Sequence, residues 1–364
     1  TGMEAERIEA QGTPVARTTH TTWHPVFDLP VRIDQGTTWT TFAYDSAGRL
    51  IERTEGGVAD QEHPFTGTPV SRTTRYAYGS DGLLASVDGP AAGSQDTLRI
   101  TRYASNGPEC ASSPTTCPWR VGDISLITDP MGLQTEFLAY DGAGRLLKSR
   151  SPNGVISEQS YDSRGRIVST TVRAHTDGSP SPEDIVERVE YNANGLVQKR
   201  TDADGVSMAT SYDAAHRPTV EVDAKGRRHE LTLNGIGLPV KEVLRDESGT
   251  VEQEVTRTYD SRGKLTREMS ANADRSYVYD ANGRLTERKF DVGAEKYTLD
   301  ALGRVAVLAY SPIHTTITAA FQYGVADEVL VVTDPKSLAT NYARNGVGDV
   351  IRQSSPDTGT TPRT

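Results

Sequence analysis

A seven-residue phrase, Tyr-Asp-x-x-Gly-(Arg/Lys)-(Leu/Ile), recurs along this chain and restricts the folds open to it more than any other feature. Tyr140 and Tyr161, which begin two copies, are 21 residues apart, and Tyr259 and Tyr279 are 20 residues apart. Repetition at a short, fixed period indicates an architecture of stacked units. The clearest copies begin at Tyr44, Tyr140, Tyr161, Tyr259 and Tyr279, weaker ones at Tyr78, Tyr191, Tyr212, Leu233 and Leu299, and degenerate ones at Tyr103, Tyr323 and Tyr342.

A second turn signal lies about halfway between the phrases, as in Asp129-Pro130-Met131-Gly132 and Asp202-Ala203-Asp204-Gly205. In both signals an Asp or Asn can accept hydrogen bonds from the following backbone, and a Gly supplies a positive φ. The spacing of the turns leaves about six or seven residues for each strand. Polar and apolar residues alternate between turns, and a period of two is the signal of a strand. The sequence therefore predicts an all-β fold, a long antiparallel meander of β-hairpins with two strands per repeat.

The composition suits such a sheet better than a compact globule. Apolar residues make up only 35% of the chain and the mean hydropathy is -0.53, yet there are 15 Tyr against 6 Phe. A phenol can pack its ring while its hydroxyl reaches water or a backbone group. We expect Tyr to pack the sheet and Gly to fix the turn at the structural repeat positions Tyr44, Gly48, Tyr140, Gly144, Tyr161, Gly165, Tyr191, Gly195, Tyr212, Tyr259, Gly263, Tyr279 and Gly283.

The repeats divide the chain into three parts. Residues 1–40 are a strand-rich lead-in, residues 41–355 hold about 12 or 13 repeats, and residues 356–364 are a tail that we interpret as truncated. Four insertions rich in Gly, Pro, Ser and Asp interrupt the rhythm, and such composition predicts loops outside the sheet. They lie near 56–72, 88–97, 105–120 and 174–184.

Charge and hydropathy exclude several classes of function. The net charge is -10 and the sequence contains no basic stripe, so we do not expect nucleic-acid binding. No apolar run is long enough for a transmembrane helix. The chain opens on Thr1, Gly2 and Met3 without a signal peptide, and we expect it to be a piece of a longer polypeptide.

Paired charges in the phrase do not by themselves indicate catalysis. Asp260 beside Arg262 resembles an acid–base pair, but the same residue types recur in every turn, which favours turn chemistry. Asp202-Ala203-Asp204-Gly205 begins like a calcium loop and lacks its remaining ligands. The seven histidines include one close pair, His20 and His24, without a partner at metal-ligand spacing. We therefore predict no catalytic residue, no cofactor and no metal.

The two cysteines, Cys110 and Cys117, lie in one Pro- and Ser-rich insertion. In an oxidising compartment they can close a small disulfide loop. Their spacing matches neither a redox motif nor a four-ligand metal site. A structural disulfide and two free thiols remain as alternatives.

The phrase and its second turn together resemble the YD repeat of the RHS family. The resemblance extends from about residue 40 to 352, and Thr22–Pro30 is similar to the segment that enters bacterial RHS repeats. It implies a β-sheet ribbon that spirals into an open or hollow, solenoid-like shell. Asp129–Leu133 matches the Asp-Pro-x-Gly-Leu motif linked to autoproteolysis in the family, but repeats continue on both sides of it, so we interpret it as an ordinary second turn.

The resemblance also implies a function. RHS shells enclose a polymorphic C-terminal toxin of the same polypeptide, in insecticidal Tc complexes and in type VI secretion effectors used in interbacterial competition. The expected partners are that toxin domain, the rest of the shell, and components of a secretion system or toxin complex. The expected location is outside the producing cell, after export. The alternative is a secreted adhesion or glycan-binding module, in which Tyr and Trp rings stack on sugars.

Overall fold

The computed structural model describes residues 3–58, 70–91, 96–108, 117–312, 315–357 and 359–362, and this part of the chain contains thirty β-strands and no α-helix. The strands belong to one antiparallel sheet, in which the described pairings join strands that are consecutive in the chain. The predicted all-β meander is thereby confirmed. In these residues there is also no helix with the length and apolarity that a membrane crossing requires.

The strands follow one another at short intervals. They are β1 (Glu6–Glu9), β2 (Arg17–Trp23), β3 (Pro30–Gln35), β4 (Thr38–Tyr44), β5 (Leu50–Gly57), β6 (Val70–Tyr78), β7 (Leu84–Asp88), β8 (Thr97–Arg102), β9 (Ile124–Thr128), β10 (Gln134–Tyr140), β11 (Leu146–Arg150), β12 (Ile156–Tyr161), β13 (Ile167–Val172), β14 (Ile185–Tyr191), β15 (Val197–Thr201), β16 (Ser207–Tyr212), β17 (Pro218–Asp223), β18 (Arg228–Leu233), β19 (Pro239–Arg245), β20 (Val251–Tyr259), β21 (Leu265–Ser270), β22 (Ala273–Tyr279), β23 (Leu285–Lys289), β24 (Ala294–Leu299), β25 (Val305–Ser311), β26 (Ile317–Tyr323), β27 (Val329–Thr333), β28 (Ala339–Arg344), β29 (Val350–Ser355) and β30 (Gly359–Pro362).

The chain forms two compact units. Unit 1 takes its residues from both ends of the chain, Thr1–Ala77, Asp88–Ala92 and Ala273–Thr364. Unit 2 is formed by Tyr78–Val87 and Gly93–Asn272. Unit 1 therefore brings together strands that lie far apart in the sequence, whereas unit 2 is nearly continuous.

The phrase sets the strand register in the same way in both units. Its first residue ends one strand and its last begins the next, as Tyr161 pairs with Ile167 across the β12–β13 hairpin. A register shift between Ser160 and Tyr161 marks a β-bulge beside the turn. Such a bulge accompanies a type I turn that is closed by a left-handed Gly. The turn thus fixes which side chains share a face of the sheet.

Few side chains of the described residues are fully buried. Val243 on β19 and Val255 on β20 are 6% and 7% exposed. Glu242, not Val243, lies opposite Val255, so these two valines lie on opposite faces of the sheet. Apolar packing is therefore not confined to one face. The sheet depends on cross-strand side-chain pairs as much as on a core.

The segment between β13 and β14, which covers residues 174–184, packs on the sheet. A Cβ placed at Gly178 would lie 3.7 Å from Ile156, whose side chain is fully buried at 0% exposure. Asp184 accepts hydrogen bonds from the backbone N–H groups of Ala174 and Ser181, and it pairs with Arg173 at 2.7 Å. Residues 174–184 contain no strand, and this insertion covers the fully buried Ile156.

The insertion between β8 and β9 contributes an aromatic contact. The Trp119 ring stacks on the Tyr103 ring, with centroids 4.5 Å apart and planes at 10°. Cys117, beside it, is 3% exposed. Cys110 lies outside the described residues, so a disulfide between the two cysteines, one of the two alternatives, stays a prediction.

Candidate functional site: the connection between repeats

Each phrase folds its own turn through its Asp. In the copy that begins at Tyr161, Asp162 Oδ1 accepts the backbone N–H groups of Arg164 and Arg166 at 2.9 and 3.0 Å. The other carboxylate oxygen, Oδ2, accepts a hydrogen bond from Arg166 Nε at 2.8 Å. The backbone closes the turn, with Gly165 N–H donating to Asp162 O at 2.9 Å. The same bonds recur around Asp45, Asp141, Asp213, Asp280 and Asp300.

The Gly of the phrase occupies a left-handed backbone conformation. At Gly165 φ is 82° and at Gly263 it is 78°. An ordinary L-residue is strained there by about 1–2 kcal/mol. In the Tyr212 copy, His216 stands at this position with φ of 64°, and His is among the residues that tolerate it. The other predicted positions have the same sign of φ, at Gly48, Gly144, Gly195 and Gly283.

The Tyr of each phrase reaches back to the preceding phrase. Tyr161 at the end of β12 donates its hydroxyl to Leu146 O, at the start of β11, over 2.9 Å. Leu146 is the last residue of the preceding phrase. Each such bond fixes two successive turns relative to each other. Further examples are Tyr44 to Pro30, Tyr140 to Ile124, Tyr191 to Ile167, Tyr212 to Val197, Tyr259 to Pro239 and Tyr323 to Val305.

The Arg of three phrases, Arg145, Arg166 and Arg304, contacts the Tyr of the next copy. The Arg145 guanidinium lies over the Tyr161 ring at 4.7 Å, and that of Arg166 lies over Tyr191 at 4.1 Å. A Cβ placed at Gly165 would lie 2.3 Å from Arg145 Nη1, so Gly also leaves room for the arriving guanidinium. Cation–π contacts contribute about 0.5–1 kcal/mol at exposed sites. Asp, Arg, Tyr and Gly thus form one connector that joins each repeat to the next.

The electrostatics of the connector keep its carboxylates charged. Backbone N–H groups and the Arg166 guanidinium lower the pKa of Asp162. The hydrogen bond from the Lys264 backbone is the main cause that lowers the pKa of Asp260. A general acid requires the opposite shift. These carboxylates are therefore suited to holding turns and arginines.

A ladder of alternating charges crosses β18 to β21. His229 Nε2 lies 2.8 Å from Glu242, which pairs with Arg257 at 2.8 Å. Arg257 continues to Glu268, also at 2.8 Å. Although burial acts in the opposite direction, Arg257 and His229 lower the pKa of Glu242. The ladder joins neighbouring strands, and in the described residues no three His, Cys, Asp or Glu side chains converge as a metal site.

Two repeats near the end of unit 1 depart from the phrase. In the copy that begins at Tyr323, Asp327 takes the place of Gly, with φ of 65°. The last degenerate copy begins at Arg344 and not at Tyr342, because the turn bond runs from Asn345 N–H to Asp349 O. Arg344 Nε donates to Val329 O at 3.3 Å, which is the bond that a Tyr hydroxyl makes elsewhere.

Only part of the connector was predicted from the sequence. The turn roles of Asp and Gly follow from local chemistry, and all predicted Tyr positions end strands. The Tyr side chains are half-buried. The hydroxyl-to-carbonyl bond and the guanidinium stack were missed because they join different copies. The excess of Tyr over Phe was the available signal, since Phe would serve equally well for packing alone.

Comparison with known proteins supports this description. The RHS Repeat family model matches residues 119–156, 140–178, 191–228 and 259–293. All four matched segments include phrase turns with the connector geometry. No curated sequence matches the chain significantly.

Solved structures share the fold at low sequence identity. A crystal structure of TcdB2-TccC3 matches with a TM-score of 0.57 and 15% identity, over 97% of this chain and 23% of that one. The structure of the Photorhabdus luminescens Tc holotoxin pore gives a TM-score of 0.57 and 14% identity, over 95% of this chain and 22% of that one. TcdB2-TccC3-Cdc42 gives 0.56 and 15%, over 97% and 22%. This chain spans less than a quarter of the length of those chains.

Proposed function

We propose that this chain, which carries RHS repeats, is a wall segment of a protein shell that encloses a toxin segment of the same polypeptide. The observation that carries the proposal is the repeated connector on a fold shared with TcdB2-TccC3 over 97% of the chain. At 15% identity the likeness concerns the fold alone. The enclosed toxin, its delivery by a Tc-type complex or a type VI system, and release outside the producing cell are parts of the proposal.

The connector suits a wall. Each repeat has its own turn, and copies such as the one at Tyr161 add a hydroxyl bond to the preceding copy and a guanidinium contact to the next, so stability is close to a sum of local interfaces. A wall of this kind can be long without a thick core. We propose that residues 41–355 form the wall, that residues 1–40 lead into it and that 356–364 continue from it. The repeat Tyr and Gly positions are proposed to carry its stability.

The glycan-binding alternative requires aromatic faces that are open to sugar rings. The rings of Tyr161, Tyr191 and Tyr323 are each covered by an arginine of the preceding repeat. Their hydroxyls donate to backbone carbonyls. Rings held in this way are poorly placed to stack on sugars. These contacts favour the structural function over the adhesive one.

Protease protection tests the proposal in the complete parent polypeptide. We expect a segment outside the RHS repeats to resist a broad-specificity protease in the native protein, and to be cleaved rapidly once urea has opened the wall. The matched control is the same segment expressed alone. Equal cleavage rates for the native parent and the isolated segment would contradict enclosure. Selective binding of this chain on a glycan array would instead support the adhesion module.

A further inference from the structure

The two departing repeats of unit 1 contact strands near the start of the chain. Asp327 Oδ2 lies 2.8 Å from Arg17 Nη1 on β2. The side chain of Arg17 is 17% exposed, and it also pairs with Glu9 at 2.7 Å. The other oxygen of Asp327 pairs with Arg304 at 2.9 Å. A network of five charged groups, completed by Asp300, therefore joins β1 and β2 to the β26–β27 turn.

The same turn packs against the β3–β4 hairpin. Arg17 Nη1 and Gln35 Nε2 each lie 3.4 Å from Val325 O and donate to it. A Cβ placed at Gly36 would lie 2.8 Å from Val325 Cγ2 and 3.3 Å from Val325 Cβ. Gly36 therefore allows Val325 to approach the hairpin closely.

The repeat that begins at Arg344 meets β5 and β6. A Cβ placed at Gly346 would lie 1.8 Å from the carbonyl oxygen of Gly57, and one placed at Gly57 would lie 2.2 Å from that of Gly346. The two backbones touch, and no side chain fits between them. Beside this contact, Asp349 forms an ion pair with Arg72. Asp349 stands where the phrase has Arg.

We infer that these two repeats are specialised as a docking surface for the chain's own strands β2–β6, and that their departures from the phrase determine which strands they hold. We call this contact, between residues 17–57 with Arg72 on one side and residues 325–349 on the other, the seam. A Gly at position 327, as in the regular phrase, would offer no carboxylate to Arg17. At position 349 the Arg of the phrase would face Arg72 with the same charge.

The seam is a different connection from that between neighbouring repeats. Consecutive phrases are joined by Tyr and Arg, whereas Arg17 and Asp327 are 310 residues apart in sequence. Arg344 donates a hydrogen bond to Val329 O of the preceding copy, whereas Asp349 pairs with Arg72. One repeat therefore serves both connections. This inference concerns unit 1 alone and does not depend on what the wall encloses.

Restoring the phrase separates specialisation from simple degeneration. In the full chain, Asp349→Arg restores the Arg of the phrase, and Asp327→Gly restores its Gly and removes the left-handed Asp. If the two repeats are merely degenerate, both changes leave stability unchanged or raise it. If they form the seam, amide hydrogen exchange in β2 and in β5–β6 accelerates about three- to tenfold, as expected for losing a partly exposed ion pair.

A charge swap is the matched rescue for the first variant. Arg72→Asp with Asp349→Arg recreates an ion pair of inverted polarity, and we expect it to return the exchange of β5–β6 to within about twofold of the original rate. Unchanged exchange in the single Asp349→Arg variant, or a double variant that is no better than the single, would overturn the inference. Lys199→Glu, within β15 of unit 2, is a charge-changing control that should leave β2–β6 unaffected.

A disulfide trap tests the contact directly. A Cβ placed at Gly36 would lie 3.3 Å from Val325 Cβ. Because the mean Cβ–Cβ distance in disulfides is about 3.8 Å, Gly36→Cys with Val325→Cys should crosslink under mild oxidation. Peptide mapping would then find a 36–325 disulfide that is absent from either single variant. Two cysteines that stay reactive to maleimide after oxidation, in a chain with native circular dichroism, would contradict the seam.

Discussion

The repeats of unit 2 that begin at Tyr140 and Tyr161 and the repeats of unit 1 that begin at Tyr323 and Arg344 share one turn geometry but use it differently. In unit 2 the sixth residue of the phrase is Arg145 or Arg166, which lies on the Tyr of the next copy. In unit 1 the sixth residue of the last copy is Asp349, which pairs with Arg72. Regular copies therefore bind their sequence neighbours, while these two irregular copies bind distant strands as well.

The largest difference is expected from alanine at glycines of the two kinds. In Gly346→Ala the new methyl meets the Gly57 backbone, and we expect a cost of about 3 kcal/mol, as for severe overpacking. In Gly144→Ala nothing lies within 4 Å, and only the φ of 76° opposes the change, at about 1 kcal/mol. Urea unfolding followed by circular dichroism gives both values. Equal costs would mean that the contact at Gly57 is unimportant.

The backward connection of the regular repeats is tested at Tyr161. Tyr161→Phe removes the hydroxyl, which lies 2.9 Å from Leu146 O and 2.7 Å from Gln159 Oε1, and should cost about 1 kcal/mol, the usual net value of one hydrogen bond. Tyr161→Ala also removes the half-buried ring and should cost about 2 kcal/mol, which is less than for a fully buried aromatic residue. Tyr310→Phe, within β25, is the matched control. If both Phe variants behave alike in urea, the hydroxyl bond does not hold the repeats together.

The forward connection is tested at Arg166. Arg166→Lys keeps the charge but loses the planar stack on Tyr191 and the bond from Nε to Asp162, at about 1 kcal/mol. The natural counterpart is Lys264, which occupies this position in the Tyr259 copy. Lys264→Arg should therefore gain a few tenths of a kcal/mol. Thermal unfolding of the two variants should shift in opposite directions, and shifts of the same sign would count against the stack.

The smallest effect is expected from the pH dependence at Asp184. Backbone N–H groups of Ala174 and Ser181, together with Arg173, lower the pKa of this carboxyl to about 2. Its unfolded value is about 3.9. Because the folded pKa is the lower one, the stabilisation is complete above about pH 4 and is lost as the pH falls towards 2. The protection factors of residues 174–184, which correct for the pH dependence of intrinsic exchange, should fall between pH 5 and 2.5 in the native chain and stay nearly constant with pH in Asp184→Asn. Identical slopes would exclude Asp184 as the cause.

Much of the fold could be predicted because its determinants are local. The Asp and Gly of each phrase specify a turn within five residues, and turns about ten residues apart leave room only for short strands. His216 occupies the left-handed position of the Gly for the same local reason. The sequence also identified the residue types of the connector. It could not identify their partners, since a Tyr hydroxyl can reach water as well as the carbonyl of a preceding copy.

The remaining errors came from contacts that the sequence pattern does not encode. The last copy was placed at Tyr342 by its aromatic residue, but Asn345 fixes the turn and Arg344 takes the Tyr position. The weak copies looked like decayed repeats because the residues that explain them, Arg17 and Arg72, are hundreds of positions away. No periodicity relates those partners to each other.

The reach of the Tyr hydroxyl has a consequence for how such a chain can change its length. Because the Tyr161 hydroxyl reaches the copy before it and the Arg166 guanidinium reaches the copy after it, a duplicated repeat brings both halves of its own connections. Duplication or deletion of whole copies in the regular region should therefore leave every local connection complete. Because these copies lie between Arg72 and Asp349, a change in their number should instead be felt at the seam, whose two sides would no longer be separated by the same number of repeats.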